Sequence, residues 1–210
     1  MLARGGSQFS KSRLETLSDG LFAIMMTLLV LELKPPAVAK GAPSTEILRA
    51  LRHDALPLIG FFLSFILSAQ YWFLQHALFH YVRQANRVLA MMTILLLLFV
   101  SLLPFSTQML THFGLREPVG LVWYFGNQWI LAFILAITWL TAKRNGILSG
   151  DDSDVERRQF ELMIYALPVT LLIPIAVTFI SPRQATTSLS ISLVLATVFA
   201  RKRAKATATA

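Results

Sequence analysis

Leu89-Ala90-Met91-Met92-Thr93-Ile94-Leu95-Leu96-Leu97-Leu98-Phe99-Val100-Ser101-Leu102-Leu103 is an almost unbroken apolar run, and Pro104 follows it. No charged residue lies between Arg87 and Arg116. A helix needs about 20 predominantly apolar residues to cross the hydrocarbon of a bilayer. The segment 88–112 meets that length, with Pro104 just past its middle, where a helix in lipid tolerates a kink. Working outward on the same criterion gives five more apolar segments at 14–34, 53–79, 119–142, 160–180 and 184–200. The expected fold is an all-α integral membrane protein with six transmembrane helices in a single domain over 1–210 and a basic tail at 201–210.

Composition agrees. Of 210 residues, 55% are hydrophobic and 14% charged, whereas soluble domains carry about 25% charged residues. Mean hydropathy is +0.62, which leaves no room for a separate soluble domain. The formal charge of +8 does not point to nucleic acid, because Lys and Arg sit between apolar runs instead of forming one stripe with aromatics. With no cysteine among the residues, thiolate chemistry is excluded, and the four histidines, of which His76 and His80 stand four apart, include no HExxH motif. No enzyme activity, metal or cofactor is expected.

The basic residues instead report orientation. Six crossings place both termini and the loops near 83–87 and 143–158 on one side. That side holds Arg4, Lys11, Arg13, Arg83, Arg87, Lys143, Arg144, Arg157, Arg158, Arg201, Lys202, Arg203 and Lys205. The other side has Lys34, Lys40, Arg49, Arg52, Arg116 and Arg183. By the positive-inside rule both termini are expected in the cytoplasm, and the chain in the cell inner (plasma) membrane. A cleaved secretory signal is the competing reading of Lys11 through Ala39, but Glu15, Asp19 and Glu32 intrude on zones that such a signal keeps free of acids.

Punctuation follows the same plan. Lys34-Pro35-Pro36 stops the first helix, Ser44 or Thr45 is a candidate N-cap for a short lead-in turn, and Ser153 with Glu156 forms a capping-box pattern before the fifth helix. Pro168 and Pro174 are expected to bend that helix. Ser188, Ser192, Ala196 and Ala200 make a small-residue ladder suited to close helix contact. Tyr71, Trp72, Trp123, Tyr124, Trp129 and Trp139 read as interface aromatics or packing.

The first helix combines polar ends with a stripe at Leu17, Leu21, Ile24, Leu28 and Leu31, spaced by threes and fours. Packing explains such a stripe, and so does the lining of a pore. Arg13, Ser18 and Asp19 lie at its cytoplasmic end, as interfacial anchors or as a polar bracket against the second helix. Trp72, His76 and His80 are the candidate partners, at i, i+4 and i+8 on one face. Asp19 can also concentrate cations at the inner mouth. Met25 and Met26 are expected to face lipid.

Arg13-Leu14-Glu15-Thr16-Leu17-Ser18-Asp19-Gly20, continuing through Ile24 and Thr27 to Glu32, resembles the opening helix of the transmembrane protein 175 family, whose animal members are endolysosomal potassium channels. The family signature is a basic residue, three positions, then Phe-Ser-Asp; here Leu17 stands in place of Phe. The resemblance implies a bacterial-type unit of six helices that assembles as a homotetramer, with four copies of the first helix around the axis. It places the constricting isoleucine on Ile24 and the neighbouring pore threonine on Thr27, with Leu28 and Leu31 on the next turn. A ring of branched apolar side chains discriminates ions by dehydration. The expected function is a potassium-permeable channel with modest selectivity over sodium, its partners being potassium ions, the bilayer and copies of itself. The alternative is a secondary transporter or proton-coupled carrier, but matched repeats and mid-membrane carboxylates are not evident.

Overall fold

In the computed structural model, residues 10–53, 55–149 and 155–208 are described. They form α1 (Lys11–Leu31), α2 (Ser44–His53), α3 (Ala55–Tyr81), α4 (Arg87–Ser101), α5 (Leu103–Phe113), α6 (Pro118–Arg144), α7 (Val155–Thr170), α8 (Leu172–Ile180) and α9 (Pro182–Ala208). Five helical runs are long and apolar enough to cross a membrane: Lys11–Leu31, Ala55–Tyr81, Arg87–Phe113, Pro118–Arg144 and Val155–Ile180. The expected sixth segment, 184–200, lies within α9. That helix is long enough, but its hydroxyl and basic residues keep it out of this set. The basic tail continues α9 as far as Ala208.

Prolines and glycines set most of the boundaries. Pro104 has no N–H to offer Val100, and the run 87–113 divides at Leu102 into α4 and α5. Pro174 acts likewise on 155–180, which divides at Leu171, whereas Pro168 is accommodated inside α7. Gly114 (φ 76°) ends α5 and Gly146 (φ 64°) lies just beyond α6, both in the left-handed region. Asn86 caps α4 by accepting from the Leu89 N–H at 2.8 Å. The lead-in expected after Pro43 is a ten-residue helix, α2, rather than a single turn. Ser153, the expected cap of α7, lies outside the described residues.

Helix α6 is the hub, packing against α4, α5, α7 and α8, while α9 lies along α7 and α8. Ser188, Ser192, Ala196 and Ala200 are all buried in that α9 contact. On the other flank α3 meets α5, and α1 packs on α3, α4 and α5. Two glycines permit the closest approaches: a Cβ on Gly60 of α3 would lie 2.5 Å from Thr111 Cγ2, and one on Gly120 of α6 would lie 2.5 Å from the Met109 carbonyl oxygen. Polar side chains stitch the centre. Ser64 Oγ meets Tyr124 Oη at 3.1 Å and accepts from Thr107 Oγ1 at 2.7 Å, and Tyr71 Oη donates to the Gln128 carbonyl at 2.7 Å. Tyr71, Tyr124 and Trp139 are therefore core residues. At the end of the bundle where α6 stops and α7 starts, Trp139, Tyr81 and Phe160 pack ring against ring.

Candidate functional site: the uncovered face of α1

Helix α1 is free of proline between Lys11 and Leu31, and it turns one face to the bundle: Leu14, Ser18, Phe22, Met25 and Leu29 are buried. The stripe singled out in the sequence points elsewhere. Leu17 is 48% exposed, Ile24 62%, Leu28 43% and Leu31 70%, Thr27 is exposed beside them, and Leu21 is half-buried. Thr16, Leu17, Gly20, Leu21, Ile24, Met25, Leu28 and Ser101 line a groove of about 380 Å³ along this side of the helix. The Thr27 hydroxyl donates to the Ile24 carbonyl at 2.7 Å.

Met25 corrects the sequence reading. It is 2% exposed, and its Sδ accepts from Ser68 Oγ at 3.7 Å; Met26 is half-buried against the core. The two methionines looked lipid-facing because every face of α1 carries apolar residues, so the choice of buried face depends on what α3 and α4 present.

At the N-terminal end of α1, Trp72 Nε1 of α3 donates to Asp19 Oδ1 at 2.8 Å. Of the three candidate partners, Trp72 is the one brought to Asp19. His76 lies ring to ring with Trp72 at 5.8 Å, and His80 lies edge-on to Tyr81. Arg13 is exposed. Ser18 is buried, its hydroxyl without a hydrogen-bond partner among the described residues. At the opposite end Gln108 Nε2 of α5 donates to Glu32 Oε2, a pairing that sequence spacing does not announce. Glu32, Lys34, Gln108 and His112 contribute to a cavity of about 610 Å³ there. Among the described residues no group of three His, Cys, Asp or Glu side chains is placed to hold a metal ion.

A bond from a neutral donor to a carboxylate contributes on the order of 1.5–3 kcal/mol where it is shielded and less where water competes. Trp72→Phe keeps the ring and removes the donor, so it is expected to lower the stability of the folded chain in detergent by about 1 kcal/mol. In a double-mutant cycle with Asp19→Ala the two losses are expected not to add. Additive losses would show that Asp19 acts at the mouth through its charge alone.

Five spans and an uncovered apolar helix face define a class, the multi-pass helical membrane protein. Residues 13–104 match the model of the family described as endosomal/lysosomal potassium channel TMEM175. The chain is thus similar to this family over its stretch from α1 to the start of α5. It is 36% identical over 108 residues to a Danio rerio protein named endosomal/lysosomal proton channel TMEM175, covering 49% of this chain and 21% of that one. It is 35% identical over 113 residues to a protein of Chryseobacterium sp. (strain P1-3) named as a potassium channel, covering 53% of this chain and 55% of that one. The matches thus span about a fifth of the animal relatives and about half of the bacterial ones. A crystal structure of a lysosomal potassium-selective channel TMEM175 homolog from Chamaesiphon minutus superposes with a TM-score of 0.70 at 26% identity, covering 92% of this chain and 97% of that one. A second crystal structure, of a single-residue variant of the potassium channel MtTMEM175, shares the fold with a TM-score of 0.62 at 18% identity, covering 98% of this chain and 99% of that one.

Proposed function

We propose that the chain forms a potassium-permeable pore by assembling as a homotetramer, with four copies of α1 around the axis. The observation that carries this reading is the exposed row Leu17, Ile24, Leu28 and Leu31 on a helix whose other face is packed into its own bundle. In this arrangement Ile24 forms the narrowest ring, Leu28 and Leu31 continue the dewetted stretch outward, and Thr27 supplies a hydroxyl beside it. A dry ring favours the ion that sheds water more readily, which gives potassium over sodium with modest selectivity. Names of relatives support it: the Chryseobacterium and Streptomyces collinus proteins are named potassium channels. Both termini lie in the cytoplasm and the chain resides in the plasma membrane, as the distribution of Lys and Arg favours. α9 is the sixth crossing, with the hydroxyls of Thr187, Ser188, Ser192 and Thr197 donating to carbonyls of their own helix.

One helix cannot enclose a water-filled path, so the conducting particle is expected to have four times the 23.5 kDa mass of the chain. Mass photometry or cross-linking in lipid nanodiscs measures this, and a monodisperse monomer that conducts would overturn it. Bilayer recording under potassium and sodium gradients tests the activity. Unitary currents with a reversal potential following potassium are expected, whereas slow, saturable flux would establish a carrier. The animal relatives are named proton channels, so a reversal potential that follows an imposed pH gradient would assign the conductance to protons instead.

A further inference from the structure

At the end of the bundle away from the N-terminus of α1, the membrane-spanning runs stop or start at Leu31, Ala55, Phe113, Pro118 and Ile180. This end is a membrane–water boundary, and a cavity of about 600 Å³ opens in it. Leu56, Phe113 and Leu115 give the cavity an apolar floor, and Arg116 and Arg183 come to it from the α5–α6 turn and the start of α9. Both arginines are exposed. Among the described residues, ion pairs join Lys11 to Glu15 and Lys143 to Glu161, and neither Arg116 nor Arg183 takes part in one. Glu117, next to Arg116 in sequence, makes no ion pair with it.

Two guanidinium groups lining one cavity give it a positive potential, and their planar donor forks match phosphate oxygens. A free inorganic anion gains nothing from an apolar floor. At a bilayer boundary the phosphate that arrives with apolar chains attached is that of a phospholipid. We propose that this cavity seats an anionic phospholipid, its phosphate held by Arg116 and Arg183 and its upper acyl segment lying over Leu56, Phe113 and Leu115. The bound lipid ties the turn between α5 and α6 to the start of α9, two elements joined there by no ion pair. The proposal rests on membrane residence and is independent of what the protein conducts.

The test uses the full chain in mild detergent, with lipid retention read by native mass spectrometry and the thermal midpoint read alongside. Phosphatidylglycerol is expected to be retained several-fold better than phosphatidylcholine and to raise the midpoint, while inorganic phosphate leaves it unchanged. The Arg116→Gln/Arg183→Gln variant is expected to lose about tenfold in phosphatidylglycerol retention. Arg201→Gln/Lys202→Gln removes the same charge about 27 Å away along α9 and is expected to retain the lipid as the unmodified chain does. Arg183→Lys keeps the charge but not the fork, and intermediate retention is expected from it even where the double variant folds poorly. Unchanged retention in both Arg183 variants, equal retention of phosphatidylcholine, or equal loss in the Arg201/Lys202 variant would each overturn the assignment. A midpoint shift of the same size with inorganic phosphate would show a free-anion site and overturn the lipid.

Discussion

Ile24→Asn is expected to raise the potassium current and to bring the potassium-to-sodium permeability ratio down by about five- to thirtyfold or to unity, whichever is reached first. That range corresponds to losing about 1–2 kcal/mol of the difference in dehydration cost between the two ions. Ile24 is 62% exposed in the protomer, so an amide there meets no packed neighbour and the chain is expected to fold normally. Val30 is the control. It is 49% exposed but lies about 120° round the helix from Ile24 at 100° per residue, and Val30→Asn is expected to leave the ratio unchanged. Met25→Asn is expected to fail differently, by lowering yield, because Met25 is buried against Ser68. Bi-ionic recordings of the set decide the matter. An unchanged ratio at Ile24 with a shifted one at Leu28 or Leu31 would move the constriction outward along α1.

Gly120→Ala is expected to be the most destabilising single methyl in the molecule. Its Cβ would stand 2.5 Å from the Met109 carbonyl oxygen, 3.2 Å from the Met109 carbonyl carbon and 3.1 Å from Phe113 Cβ. The obstacle is largely backbone, and α5 has to move away from α6 to make room. Overpacking of this kind costs typically about 1–3 kcal/mol. Gly60→Ala meets the Thr111 methyl at 2.5 Å, a group that one side-chain rotation displaces, so a smaller loss is expected. Thermal midpoints followed by size-exclusion chromatography give the comparison, and equal midpoints for the two variants would show that α5 is not wedged against α6.

Five of the six apolar segments and their breaks were legible because length, proline and charge act locally. Pro104 and Pro174 interrupt their helices where a missing N–H must, and the small-residue ladder of α9 lies in a helix contact. The rotational setting of α1 was only half legible. Periodicity defines a stripe through Ile24 and Leu28, but Phe22, Met25 and Leu29 make an equally apolar face, and tertiary packing chooses between them. Helical spacing offered Trp72, His76 and His80 alike as partners for Asp19, and only packing brings Trp72 to it. Gln108 with Glu32, and Ser64 with Thr107 and Tyr124, join residues tens of positions apart, and no local pattern marks them. Helix α2 was read only as a short lead-in turn, because the prolines before it hid its length.

The side-chain ties of α1 have a mechanical consequence. Ser64, Thr107, Tyr124 and the two glycine contacts fix α3, α5 and α6 in one register, so these helices cannot slide past one another without breaking several bonds together. α1 has no such lattice. Among the described residues its side-chain hydrogen bonds to the rest of the chain are those of Asp19 to Trp72 and of Met25 to Ser68, and Glu32, just past its end, is joined to Gln108. Releasing these bonds costs on the order of 1–3 kcal/mol, whereas turning α1 would also uncover Leu14, Phe22, Met25 and Leu29, which are buried against the bundle, at about 1.5–3 kcal/mol each. The packed face, and not the hydrogen bonds, therefore holds the rotational setting of α1 and with it which of its side chains stay uncovered.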